Sequence, residues 1–177
     1  MSRQYFKELL AWATADAAAV ANTASETIAF PNVVIPANYM ADGRILQLEA
    51  AGKLSTTGTP TLIFRIRWGG VAGTLLALSE TLTMGSGVTN VNWWLDALIQ
   101  TRVNGAAGSL LVMGNISVHS AAGTLLQNVW GVSGHDAPAA VTADLTADTA
   151  LSVTAQWGTA SASNTLTGMI YNLTSRN

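Results

Sequence analysis

The hydrophobic pattern of the chain changes period once, near residue 25. In residues 3–20, Tyr5, Leu9 and Trp12 fall at i, i+4 and i+7, with Phe6, Leu10 and Ala13 alongside. This single broad stripe predicts an α-helix with Ser2 as its N-cap. Such a helix either packs on its own domain or serves as a docking arm, since an isolated helix this short is marginal in water. From Ser25 onward the period is two. "SETIAFPNVVIP" gives short β-branched runs that Pro31 and Pro36 confine to edges or strand ends. An Asp-Gly turn signal in "ANYMADGR" precedes "RILQLEAAGKLS", where Ile45, Gln47 and Glu49 alternate with Leu46, Leu48 and Ala50. Further strands are expected in "TLIFRIRW", "TLLALSETLTM", "VTNVNWWLDALIQTRV", "SLLVMGNISVHS", "TLLQNVWGV", "TALSVTAQWG" and "TLTGMIYNLTS". About eight or nine strands with turn signals roughly every 8 to 14 residues make the pattern of an antiparallel sandwich or barrel. The predicted fold is therefore all-β, with an N-terminal helical arm over 1–24 and a β-sandwich domain over 25–177.

Alternation also assigns faces. Leu62, Phe64, Ile66 and Trp68 share one side of their strand, and Ile63, Arg65 and Arg67 the other, with the two arginines about 7 Å apart. Val91, Trp93, Leu95, Ala97, Ile99 and Val103 oppose Asn92, Trp94, Asp96, Leu98, Gln100 and Arg102 in the same way. An outer face carrying Trp94, Leu98 and Arg102 has the residue types enriched at protein interfaces. Together with Tyr5, Phe6, Leu9 and Trp12 of the N-terminal stripe, and with Arg65 and Arg67, these form the expected interface set. An unpaired buried guanidinium is too costly to tolerate, so the two arginines should be partly buried against a neighbouring sheet or subunit and paired with carboxylates or backbone carbonyls, Asp96 and Glu49 being the candidates within the chain.

Composition narrows the function. Charged residues are only 10% of the chain and the net charge is −2, which supports neither nucleic acid nor an anionic membrane as partner. So neutral a surface promotes association. Without cysteine, disulfides and thiolate metal sites are impossible. No run reaches the ~18 apolar residues of a membrane span. The N-terminus loosely imitates a secretory signal, but Glu8 and Asp16 interrupt its apolar stretch.

A search for catalysis returns little. Ser133, His135 and Asp136 are neighbours in "SGHD", whereas triad members converge from separate parts of a chain. His119 ends a strand and is expected to be a surface or hydrogen-bonded residue. "GSGVTN" lacks the third glycine of a dinucleotide fingerprint, and Asp144 with Asp148 make a poor calcium site. The sequons at Asn115 and Asn172 mean little without secretion. Trp68, Trp93 and Trp157 fall at core-facing phases, leaving Trp94 and Trp130 as possible ligand contacts. No catalytic residue, cofactor or metal is expected.

The stretch "NVVIPANYMADGRILQLEAAGKLSTTGTPTLIFRIRWGG" resembles small structural proteins of tailed bacteriophages, as do "GVTNVNWWLDALIQTRVNG" and "ALSVTAQWGTASASNTLTGMIYNLT". The likeness runs from about residue 28 to about residue 174 and leaves the N-terminal segment outside. It implies a jelly-roll-like sandwich, often trimeric, displayed on the virion after assembly in the host cytoplasm. It supplies no catalytic residues. The function expected from it is a homotrimeric capsid decoration (cement) protein held on the major capsid protein or other virion proteins. The alternative is a tail-fibre, spike or receptor- or carbohydrate-binding module.

Overall fold

The computed structural model describes residues 7–121, 123–132 and 138–176. Among them the chain forms β1 (Lys7–Trp12), β2 (Val20–Ala21), β3 (Thr27–Ile28), β4 (Val33–Ile35), β5 (Ile45–Ser55), β6 (Thr61–Trp68) and β7 (Thr74–Leu78). There follow β8 (Leu82–Thr83), β9 (Val91–Val103), β10 (Gly108–Ala121), β11 (Thr124–Trp130), β12 (Val141–Ala143), β13 (Thr149–Trp157) and β14 (Thr165–Arg176). The larger sheet has eight strands in the order β1-β14-β5-β9-β10-β11, with β2 added to β14 and β12 to β10. The smaller has six, in the order β3-β13-β6-β7, with β4 on β13 and β8 on β6. Every pairing between these strands is antiparallel. The result is a two-sheet sandwich.

The core lies between the sheets and follows the alternation. Leu46, Leu48 and Ala50 of β5, Leu95, Ala97 and Ile99 of β9, and Leu62, Phe64 and Ile66 of β6 are fully buried. Phe30 stands at its centre, with ring centroids 6.0 Å from Trp93 and 5.1 Å from Tyr171. Gly168 makes room for it, since a Cβ there would come within 2.4 Å of the Phe30 ring. Trp68, Trp93 and Trp157 are core residues, as their phases predict. The indoles of Trp68 and Trp157 donate to the backbone carbonyls of Asp144 (2.9 Å) and Val20 (3.0 Å), so two large core side chains also tie down flanking segments.

The expected N-terminal helix is not there. Residues Lys7–Trp12 form β1 on the edge of the larger sheet, paired with β14 from Lys7↔Arg176 to Trp12↔Asn172 across a bulge between Leu9 and Ala11. The helical stripe was a coincidence of spacing: Leu9 and Trp12 are exposed, while Leu10 and Ala11 lean on the core. A short helix would gain only its own backbone bonds, whereas the strand also satisfies the open edge of β14. Tyr5 and Phe6 lie outside the described residues.

Candidate interaction surface

The arginines of β6 occupy the outer face of the smaller sheet, half-buried as expected, but their partner is neither Asp96 nor Glu49. Both of those carboxylates belong to the other sheet, across the core. The partner is Glu26, just ahead of β3. Arg67 donates from Nε to Oε1 (2.6 Å) and from Nη2 to Oε2 (2.8 Å), and its Nη1 reaches the Gly73 carbonyl at 2.9 Å. Arg65 Nη1 lies 3.6 Å from Oε2, and the Thr154 hydroxyl donates to Oε1. Register explains the convergence, because Arg65 pairs with Thr154 and Arg67 with Ser152 across β6–β13. Burial would raise the Glu26 pKa, but the hydrogen bonds from Arg67 and Thr154 and the two guanidinium charges outweigh it and hold the carboxyl below its usual range. The network is internal. It fastens the segment before β4 onto the sheet, helped by Ser152 Oγ donating to Asn32 Oδ1 at 2.7 Å.

The outer face of the larger sheet is different. Leu9, Trp12, Trp94, Leu98, Met113, Leu125, Val129 and Ile170 all stand exposed along it. Four of the expected interface residues, Leu9, Trp12, Trp94 and Leu98, are thus brought to one surface from two separate parts of the chain. Arg102 is exposed near the end of β9 and makes no ion pair among the described residues. The centre of the face is polar. Pairing sets Asn172, Glu49, Asp96 and Asn115 in one row across β14, β5, β9 and β10. Asn172 Nδ2 donates to Glu49 Oε2 at 3.1 Å, and Gln47 Nε2 to Oε1 at 3.2 Å. Asp96 has a raised pKa, because burial and the Glu49 charge outweigh its hydrogen bond with Asn115. Apolar side chains flank this row on either side, Trp94 and Ile170 in one direction and Leu98 and Met113 in the other.

A cleft opens next to Trp94. Asp16, Ala51, Gly52, Asn92, Trp93, Trp94, Met169 and Ile170 line a cleft of about 390 Å³ beside the β14 bulge between Gly168 and Ile170. Asp16 reaches it from the segment between β1 and β2, so the misread N-terminal region contributes a wall. Trp130, the other expected ligand contact, is only 1% exposed, with its indole nitrogen 3.4 Å from the Asp96 carbonyl behind the sheet. Sequence reasoning missed Asp16 and the bulge because neither has a local signature. Asn92 was placed on the right face but not singled out.

The remaining candidates have local duties. His119 Nδ1 lies 2.6 Å from Asn92 Oδ1. Asp144 accepts from the backbone and hydroxyl of Thr146, and Asp148 accepts from the Ala37 amide, so both organise turns. Ser133, His135 and Asp136 lie outside the described residues. Among the described residues no three His, Asp or Glu side chains converge as a metal site.

No protein-family description matches the sequence, and no curated protein matches it. A solved structure, the CBM2 module of the evolved Dit of Lactobacillus casei BL23 phage J-1, aligns over 97% of both chains with 9% identity and a TM-score of 0.40. Likeness at that level leaves the functional case to this chain's own geometry.

Proposed function

We propose that this chain is a non-enzymatic binding module of a tailed-phage particle, of the tail-appendage or spike type. It attaches to a polar receptor or glycan through the outer face of the eight-stranded sheet. The supporting observation is the layout of that face, with a carboxylate and amide row at its centre and exposed apolar side chains around it. Permanent protein interfaces have the opposite layout, an apolar centre depleted of charge inside a polar rim. A hydroxyl-rich ligand suits it better, taking hydrogen bonds from the amides, giving them to the carboxylates and resting its apolar patches on the aromatic flank. Capsid decoration is the second reading, favoured by eight exposed large apolar side chains on one face.

The two are separated by offering labelled protein to intact host envelopes and to capsids lacking it. Saturable binding to envelopes, with a handful of copies per virion, is expected. Binding to the major capsid protein at hundreds of copies per particle would replace attachment with decoration.

A further inference from the structure

The cleft beside Trp94 is a concavity on the proposed binding face. Its volume of about 390 Å³ falls within the usual span for small-ligand sites, roughly 300–1,000 Å³. Trp94, 46% exposed, offers an indole face, and Ile170 widens the apolar wall. Polar groups stand around it. With the His119 Nδ1 proton on the Asn92 amide oxygen, the Asn92 NH₂ is oriented and free to donate. Asp16 supplies an acceptor on the opposite wall.

Resting on the binding-module function proposed above, we infer that this cleft is a subsite for one ring of a neutral saccharide. The apolar face of a pyranose stacks on Trp94, and its hydroxyls bridge Asn92 and Asp16. Anionic ligands are disfavoured because Asp16 at the wall and Glu49 and Asp96 in the adjoining row outnumber the nearby cation Lys53, which pairs with Asn92. The rest of a glycan chain would run along that row, where the Glu49 and Asp96 carboxylates lie side by side between the Asn172 and Asn115 amides.

The test is a titration of the full chain, followed by calorimetry and tryptophan fluorescence. Neutral oligosaccharides of glucose, galactose, rhamnose and N-acetylglucosamine are compared with heparin as a polyanion. At least one neutral series should bind with submillimolar Kd and heparin should not. Trp94→Ala should weaken binding at least tenfold and Asn92→Ala severalfold, while Val34→Ala on the smaller sheet changes nothing. Circular dichroism confirms that each variant is folded, and Trp94→Phe, which keeps a stacking ring, should recover part of the loss. A neutral glycan bound equally well by Trp94→Ala, or preference for heparin, would overturn the subsite. If no oligosaccharide binds but host envelopes still do, the subsite is wrong and the binding module stands. If neither binds, both fall.

Discussion

At the scale of single residues, the chain's few charges are placed where they do structural work or create a deliberate tension. Arg67 is held by a bidentate, half-buried carboxylate, so Arg67→Ala should destabilise by roughly 1–3 kcal/mol in thermal melts. Arg67→Lys should recover little, because an ammonium cannot span both oxygens of Glu26. The Glu26 pKa is depressed in the fold. Its contribution is therefore complete above the unfolded value of about 4.3 and is lost as pH falls through the lower folded value. Glu26→Gln should accordingly flatten the acid side of the stability profile, which melts between pH 2 and 6 will reveal. Asp96 carries the opposite sign, since a raised folded pKa makes its ionised form unfavourable in the fold at neutral pH. Asp96→Asn should stabilise by roughly 0.2–1 kcal/mol at pH 7, the range for relieving opposed like charges across strands. That gain should vanish in acid, where the wild-type carboxyl is protonated. A wild-type and variant pair with the same difference at pH 7 and pH 3 would remove charge repulsion as the cause.

At the scale of elements, β1 is the instructive case. Its sequence reads as a helix, and what overrides that reading is the neighbouring edge of β14, residues 165–176, far along the chain. β1 covers that edge and sets Leu10 and Ala11 on the core. Deleting residues 1–13 should therefore cost roughly 2–3 kcal/mol of apolar burial and raise aggregation through the bared strand. A docking arm would behave otherwise, leaving the melting temperature unchanged and abolishing only attachment. The β14 bulge is likewise an element-scale device. The extra residue beside Gly168 brings Met169 and Ile170 to the wall of the Trp94 cleft, in line with the occurrence of bulges beside functional sites.

At the scale of the whole molecule, the low charge favours self-association, and light scattering at micromolar concentration tests the homotrimer that the resemblance to phage structural proteins implies, formed through surfaces other than the binding face. A monomer there would confine the protein's contacts to its receptor. The period-two pattern by itself determined the β-sandwich pattern after residue 25, the long strands β5, β6, β9, β10, β11, β13 and β14 and the core phases of Trp68, Trp93 and Trp157, because alternation is a local consequence of the pleat; it ran β7 and β8 together and missed the three-residue β12. It also put Trp94 and Leu98 on an outer face and the β6 arginines in half-buried positions. Tertiary structure alone decided the rest. Glu26 replaced Asp96 and Glu49 as the arginines' partner because strand order, which places β13 between β3 and β6, is set by long-range packing. Trp130 went inward where β11 closes against β10, and β1 chose a strand to complete an edge. Asp16 joined Asn92 and Trp94, already neighbours on one face of β9, only when β1, β14, β5 and β9 assembled, since a cleft between strands has no counterpart in the order of residues along the chain.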